Sequence, residues 1–185
     1  MDKTLTMDGG KEIANNIAEE AGVKLHECYQ CGKCTAGCPM SHAMDLMPRQ
    51  IMRYMQLGMV EETLKSKSIW LCAACGTCFE RCPHSVDLTS LVEALRHEAK
   101  HQKLCSVKEV DIFTEVFLGN VNAFGKSQEV ILAGMYNTLT GNLTQNLGNV
   151  PHMIRHELVK PEIHSVKDKE SVRRLMKAAL EVDDK

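Results

Sequence analysis

Apolar residues recur every three or four positions along most of the chain, which is the spacing of one face of an α-helix. Ile13, Ile17 and Ala21 give the clearest example near the N-terminus. Alternating apolar and polar runs, which would indicate strands, are scarce. The pattern therefore predicts an all-α protein. The predicted helices lie at 11–21, from Pro48 to Gly58, from Asp87 to Ala99, after Ser106, at 128–136 and at 167–182.

Several helix starts have side chains typical of a first turn. Pro48 suits the first helical position because its missing N–H needs no partner there. Asp87 and Ser127 are candidate N-caps, whose side-chain oxygens accept hydrogen bonds from the first free amides. Ser106-x-x-Glu109 has the form of a capping box.

The pattern divides the chain into three parts. Residues 1–24 are expected to form an N-terminal helix, 25–104 a compact helical domain, and 105–185 a helical extension that binds a partner. The Asn- and Gly-rich stretch at 141–151 predicts a loop within that extension.

Nine cysteines change this picture, because eight of them form an internal repeat whose copies are offset by 44 residues. The first motif is Cys28-x2-Cys31-x2-Cys34-x3-Cys38-Pro39, and the second motif is Cys72-x2-Cys75-x2-Cys78-x3-Cys82-Pro83.

The spacing of both motifs is typical of [4Fe–4S] ligation. Such a cube takes four thiolates, and three cysteines spaced x2 and x2 let a coiled loop reach three of its corners. Gly32 and Gly76 allow the backbone to approach the cube, and Pro39 and Pro83 turn the chain away from it. Two zinc sites of four cysteines each are the alternative, although such sites usually use pairs of C-x2-C. The sequence predicts two [4Fe–4S] clusters.

Each motif resembles those of two-cluster ferredoxins, in which the fourth cysteine ligates the other cluster. The resemblance implies a crossed arrangement that couples cluster binding to folding. We call the two predicted sites cluster 1 and cluster 2. Cluster 1 would be held by Cys28, Cys31, Cys34 and Cys82, and cluster 2 by Cys72, Cys75, Cys78 and Cys38.

The helical segment of 33 residues between Cys38 and Cys72 resembles the α-helical ferredoxin domain rather than the compact bacterial ferredoxin. The local sequence is similar to the C subunit of heterodisulfide reductase. This similarity rests on the whole first motif, on Met47-Pro48-Arg49 and on Ile69-Trp70-Leu71-Cys72.

That resemblance implies a role in methanogenic archaea. There, the C subunit relays electrons from a flavin-containing A subunit to a catalytic B subunit, which reduces the CoM-S-S-CoB heterodisulfide. Hydrogenase or formate dehydrogenase supplies the electrons in complexes that perform flavin-based electron bifurcation. An electron-relay subunit of another quinone- or thiol-linked reductase and a zinc-binding interaction module are the alternative functions.

We expect no catalytic residue in this chain. All eight motif cysteines are assigned as ligands, so no iron is left open to substrate, and no nucleotide-binding fingerprint occurs. The chain is therefore expected to be part of an oxidoreductase complex and not an enzyme alone. A net charge of −2 and a pI near 6.4 argue against nucleic-acid binding. With no apolar run long enough to span a membrane and no secretory signal, we expect a cytoplasmic protein.

The ninth cysteine, Cys105, could be a further ligand or a redox thiol, but a small buried residue between two helices is the favoured interpretation. Trp70 is expected to shield the neighbouring cluster from water. Lys33 and Arg81, inside the motifs, would either offset cluster charge or be solvated. His26, His42 and His84 are expected to be polar neighbours of the motifs, methionines such as Met52 mainly core, and Phe113, Phe117 and Leu118 either partner contacts or internal packing.

Overall fold

The computed structural model describes residues 7–142, 148, 152, 155–156 and 165–183. This part of the chain consists of helices and turns and contains no strand, so the predicted all-α class is confirmed. The chain divides into two compact units, Met1–Val107 and Lys108–Lys185. Most of the loop predicted at 141–151 lies outside the described residues.

The first unit carries both cysteine motifs, each between a helix that precedes it and a longer helix that follows it. Its helices are α1 (Met7–Glu20), a 3-10 helix (Leu25–Glu27), α2 (Lys33–Ala36), α3 (Pro48–Leu57), α4 (Val60–Leu64), α5 (Ser68–Leu71), α6 (Thr77–Glu80) and α7 (Leu88–His101).

The core of this unit lies between the apolar faces of its three longest helices. Ile17 of α1, Ile51 of α3, and Leu91 and Leu95 of α7 are all at most 5% exposed. These are positions that the helical periodicity places on the inner face of each helix. Burial of each such side chain contributes roughly 1.5–3 kcal/mol, so the core holds the helices that flank the motifs.

Helices α1 and α3 approach each other at two glycines. A Cβ on Gly10 would lie only 2.2 Å from the carbonyl oxygen of Gly58. Gly58 also ends α3 with a φ of +76°, a conformation that favours glycine, and this agrees with the predicted helix end. Both positions therefore require glycine, one for space and the other for backbone conformation as well.

Asp87 caps α7, as predicted. Its carboxylate accepts hydrogen bonds from the amides of Thr89 at 2.9 Å and Ser90 at 3.1 Å. This cap fixes the start of α7 shortly after Cys82, at the edge of the second motif.

The second unit contains α8 (Lys108–Phe124), α9 (Glu129–Thr140) and α10 (Lys169–Asp183). Asn120 of α8 donates a hydrogen bond of 2.9 Å to the carbonyl of Gln128, just before α9. The guanidinium of Arg173 on α10 donates to the carbonyl of Asn122 at 3.1 Å. These bonds and the contact between the rings of Phe113 and Tyr136, whose centroids lie 5.9 Å apart, connect the three helices.

Two predicted caps are wrong. Helix α8 begins at Lys108, too late for Ser106 to cap it, and the Ser106 hydroxyl instead donates to the carbonyl of Ser66 at 3.1 Å. The N-cap of α9 is Gln128 rather than Ser127, and it makes no side-chain capping bond. At both places the chain hydrogen-bonds to a residue outside the helix start: Ser106 donates to Ser66, and the carbonyl of Gln128 accepts from Asn120. The spacing of residues in the sequence does not reveal such bonds.

None of the helices in the described ranges is long and apolar enough to cross a membrane.

Candidate metal centres

The two cysteine motifs follow the same backbone path. Gln30 and Ala74, at matching places in the repeat, have positive φ angles of 65° and 48°. Gly32 and Gly76, two residues later, have φ angles of 82° and 71° and start α2 and α6. Non-glycine residues rarely adopt such angles, so their occurrence at both copies marks a specific loop shape that the cysteine spacing requires.

Four cysteines meet around one cavity beside the second motif. Cys72, Cys75 and Cys78 line it together with Cys38, the fourth cysteine of the first motif. These are the four residues predicted to hold cluster 2. The rest of the lining is mainly apolar: Pro39, Met40, Met44, Pro48, Ile51, Ala73, Gly76, Thr77, Leu88, Thr89 and Val92.

Around the first motif, Tyr29 is influenced by cysteines of both motifs. The pKa of Tyr29 is raised because partial burial and a hydrogen bond with Cys31 both disfavour the phenolate. The thiols of Cys82 and Cys28 shift the pKa of Tyr29 in the same direction. The ring of His84 contacts Tyr29 edge-on at 4.9 Å. His84 lies two residues after Cys82, so this contact brings the end of the second motif to Tyr29, which follows Cys28 in the first motif.

Cys34, the remaining ligand predicted for cluster 1, lies deeper in the unit. Burial raises its thiol pKa, and the neighbouring thiols of Cys28 and Cys78 contribute to the same shift. Cys78, at the matching place in the second motif, likewise has its pKa raised by burial. These two cysteines are the inner positions of the motifs.

Cys31 and Cys75 are the outer positions, and both side chains are exposed. The backbone amide of Lys33 lowers the pKa of Cys31 by hydrogen bonding to its sulfur. A hydrogen bond with the Thr77 hydroxyl, at 3.3 Å, lowers the pKa of Cys75. The same contrast between inner and outer thiols thus recurs in both copies.

The donor set fits a [4Fe–4S] cube at each motif. None of the eight motif cysteines, all of which lie in the described part of the chain, forms a disulfide, so their sulfurs are available as thiolate ligands. Among the described residues, no three His, Cys, Asp or Glu side chains lie close enough together to hold a single metal ion. Thiolates on a cube stand at four separate corners and so need a wider spacing than the ligands of one ion.

Other polar groups reach the cysteine sulfurs. The amide of Val86 donates to Cys82 Sγ at 3.3 Å, and Gln30 Nε2 donates to Cys28 Sγ at 3.5 Å. The hydroxyl of Thr89 lies 3.4 Å from Cys78 Sγ. Hydrogen bonds to ligand sulfur are one of the means by which proteins tune cluster potentials.

The motifs also contact each other through matching positions. The side chain of Arg81 packs so closely over Gly37 that a Cβ there would lie 2.4 Å from Arg81 Nη1. Gly37 precedes Cys38, and Arg81 precedes Cys82. Lys33 is exposed, yet its charge contributes to the lowered pKa of Cys31. Both side chains are exposed, and Arg81 contacts the other motif at Gly37, whereas the charge of Lys33 acts on Cys31 in its own motif.

Asp45 has a structural role that the sequence analysis missed. Its carboxylate accepts hydrogen bonds from both the amide and the hydroxyl of Ser68, at 3.0 and 2.6 Å, and from the hydroxyl of Ser66 at 2.6 Å. The amides of Leu46 and Lys67 also donate to it, each at 2.9 Å. Burial acts to raise the pKa of Asp45, but these hydrogen bonds outweigh it and hold the pKa well below its usual range. Asp45 therefore ties the segment after the first motif to the start of α5, which leads into Cys72.

Trp70 is 8% exposed and belongs to the core of the first unit. Its indole nitrogen has no hydrogen-bond partner among the residues that the structure describes, and Trp70 is not among the residues that line the cavity at the second motif. Trp70 therefore contributes to packing, and shielding of the cavity falls to residues such as Met44, Ile51 and Val92.

The remaining candidates divide between packing and surface. Cys105 is half-buried in the short segment that follows α7, with its thiol 3.5 Å from the carbonyl of Val107. Met52 is 2% exposed and so belongs to the core, as expected. His26 and His42 are exposed on the first unit, and Phe113, Phe117 and Leu118 are exposed on the second.

Comparison with known proteins places the cysteine motifs in a recognised class. Residues 24–86 match the family described as the 4Fe-4S dicluster domain. The chain is 44% identical over 89 residues to the iron-sulfur C subunit of the CoB–CoM heterodisulfide reductase of Methanopyrus kandleri. The aligned region covers 48% of this chain and 46% of that protein.

Two further relatives have names of the same kind. The C subunit of the H(2):CoB-CoM heterodisulfide,ferredoxin reductase of Methanothermobacter thermautotrophicus is 36% identical over 89 residues, 48% of this chain and 48% of its own length. The C subunit of the Ferredoxin:CoB-CoM heterodisulfide reductase of Methanosarcina acetivorans is 36% identical over 114 residues, 62% of this chain and 44% of its own length.

These comparisons confirm the resemblance to the C subunit of heterodisulfide reductase and the prediction of two [4Fe–4S] clusters. The chain spans about half the length of the relatives that it matches. The matched region includes both cysteine motifs.

Proposed function

We propose that this chain is the electron-relay subunit of a heterodisulfide reductase complex. It would relay single electrons through two [4Fe–4S] clusters from a flavin-containing A subunit to a B subunit that reduces the CoM-S-S-CoB heterodisulfide. The observation that carries this proposal is the meeting of cysteines from both motifs in a segment similar to the C subunit of that enzyme. Hydrogenase or formate dehydrogenase would belong to the larger assembly, which we place in the cytoplasm.

The ligand sets in this proposal are the crossed ones. Cys38 lines the cavity of the second motif, which supports its assignment to cluster 2. Tyr29, next to Cys28, contacts the ring of His84, which lies two residues after Cys82, and this supports the assignment of Cys82 to cluster 1. When bound, each cluster supplies reversible one-electron exchange, and with four thiolates per cube no iron remains open to substrate.

The residues around the cysteines control how water and other proteins reach the clusters. Apolar side chains such as Ile51 and Val92 exclude water from the cavity of the second motif. Each site also has an exposed corner, at Cys31 beside Tyr29 and at Cys75. Two exposed corners would give a donor and an acceptor protein separate places to approach the same unit.

We assign partner binding to the region 105–185. Phe113, Phe117 and Leu118 of α8 are 45%, 37% and 43% exposed, and the rings of Phe113 and Phe117 stack with centroids 6.2 Å apart. Exposed aromatic residues in a group are typical of protein interfaces.

Electron exchange between purified subunits tests the proposal. The chain would be purified anaerobically, reduced, and mixed in a stopped-flow spectrometer with the catalytic B subunit and the heterodisulfide. We expect the visible absorption that the clusters lose on reduction to return only when the B subunit and the heterodisulfide are both present. Recovery with the heterodisulfide alone would show a substrate site on this chain. An absence of recovery with the B subunit present would contradict the relay.

A further inference from the structure

Two side chains hold the first cysteine of each motif in the same way. Gln56 Nε2 donates hydrogen bonds of 2.8 Å to the carbonyl oxygens of both Leu25 and Cys28. At the second motif, Arg96 Nε donates to the carbonyl of Ile69, and Arg96 Nη2 donates to that of Cys72. Each side chain therefore fixes the carbonyl of the first ligand and the carbonyl three residues before it. We call Gln56 with its two hydrogen bonds the first clamp, and Arg96 with its two hydrogen bonds the second clamp.

The two donors also occupy matching places in the fold. Gln56 lies on α3, the helix that follows the first motif, and Arg96 lies on α7, the helix that follows the second. Each stands eight residues after the first residue of its helix, Pro48 or Leu88. The correspondence is hidden in the sequence because the connection from motif to helix is four residues longer after Pro39 than after Pro83.

The charge of the two donors differs. Gln56 is neutral, whereas Arg96 carries a positively charged guanidinium and is half-buried against the second motif. Arg53 lies near the first clamp, with Nη1 3.3 Å from Gln56 Oε1, but it is exposed and therefore screened by water. The second motif thus has a fixed, partly buried positive charge at a place where the first motif has a neutral amide.

We propose that Gln56 and Arg96 are paired positioning residues for Cys28 and Cys72, and that the charge of Arg96 raises the reduction potential of the cluster bound by Cys72. Reduction adds negative charge to the cluster, and a nearby positive charge stabilises the reduced state. This inference rests on the proposed function only in requiring both clusters to be redox-active. It holds for crossed and uncrossed ligand sets, because Cys72 belongs to cluster 2 in either case.

Substitutions at Arg96 separate its charge from its hydrogen bonds. Arg96→Gln removes the charge and supplies a side-chain amide donor of the kind that Gln56 uses at the first motif. Arg96→Lys keeps the charge on a side chain with different geometry. Each full-length protein, with its clusters, would be titrated electrochemically and followed by EPR. We expect Arg96→Gln to lower the midpoint potential of one cluster and leave the other unmoved, while Arg96→Lys restores most of that shift.

Loss of the clamp itself is tested with methionine, which has similar length and no donor. Gln56→Met should speed iron loss to a chelator from one cluster, and Arg96→Met should speed it from the other, so two different EPR signals fade. An Arg96→Met protein that cannot be purified with clusters supports the positioning role when Arg96→Gln or Arg96→Lys is purified intact. For Gln56→Met the matched variant is Gln56→Lys, which keeps a hydrogen-bond donor.

The outcomes distinguish this inference from the proposed function. A wild-type protein without two reducible clusters would overturn both. Two intact clusters whose potentials are unchanged in Arg96→Gln, or shifted equally, would overturn the charge effect alone. Fading of the same signal in both methionine variants would overturn the paired positioning roles.

Discussion

The first and second motifs share a backbone path, but different side chains hold them in the unit. Positive φ angles occur at Gln30 and Ala74 alike, whereas the clamp is Gln56 in one half and Arg96 in the other. Asp45 stabilises only the connection between the motifs. Cysteine spacing therefore sets the shape of the binding loop, while the neighbouring side chains make the two sites unequal.

The largest effect is expected from Cys38→Ser, which tests whether each cluster takes its fourth ligand from the other motif. In Cys38→Ser we expect loss of the cluster held by Cys72, Cys75 and Cys78, because Cys38 lines their cavity. Iron content should fall from about eight to about four per chain. The matched variant Cys82→Ser should remove the other signal in EPR. Loss of the sequence-neighbour cluster in either variant would contradict the crossed assignment.

Gly10→Ala tests the close approach of α1 and α3. The added Cβ would lie 2.2 Å from the Gly58 carbonyl, so the helices must move apart. We expect a loss of about 1–3 kcal/mol in the free energy of unfolding, measured by urea titration followed by circular dichroism. Gly22→Ala is the control, because no atom of the described residues lies within 4 Å of the added Cβ and only the φ of +67° is strained. A larger effect at Gly22 than at Gly10 would contradict the contact.

Asp45→Asn tests the connection between the two motifs. The substitution removes the charge that accepts five hydrogen bonds, and we expect a loss of about 1–2 kcal/mol in unfolding free energy. Glu62→Gln, an exposed carboxylate on α4, should change it little.

The pH dependence of the Asp45 effect follows from its lowered pKa. A carboxyl group whose pKa is depressed in the folded state stabilises the fold above its unfolded pKa, which is about 3.9. That contribution is lost as the pH falls through the folded pKa. The difference between wild type and Asp45→Asn should therefore be constant from pH 8 to about pH 5 and shrink below about pH 4. A difference that shrinks already between pH 8 and 6 would contradict the depressed pKa.

The smallest effect is expected at the start of α7. Asp87→Ala removes the acceptor for the amides of Thr89 and Ser90, at a cost of about 1 kcal/mol in unfolding free energy. Asp87→Asn should retain most of the stability, since asparagine caps helices about as well as aspartate. Equal losses in the two variants, measured by thermal unfolding, would show that charge rather than capping matters there.

The sequence predicted the features that depend on local spacing. Helix periodicity, Gly58 and Asp87 gave the boundaries of α3 and α7, and the repeated cysteines gave the motifs. It did not predict Asp45, whose partners at Ser66 and Ser68 are distant along the chain, or the Gln56 and Arg96 clamps, which bond to carbonyl groups that every residue has. Ser106 failed as a cap for the same reason, because its partner at Ser66 is distant in sequence.

Anaerobic iron and sulfide analysis, with EPR of the reduced protein, tests the central claim most directly. Two cluster sites in one unit predict about eight irons and about eight sulfides per chain, with two interacting S = 1/2 signals. Zinc in place of iron, without sulfide, would contradict the clusters and with them the proposed electron relay.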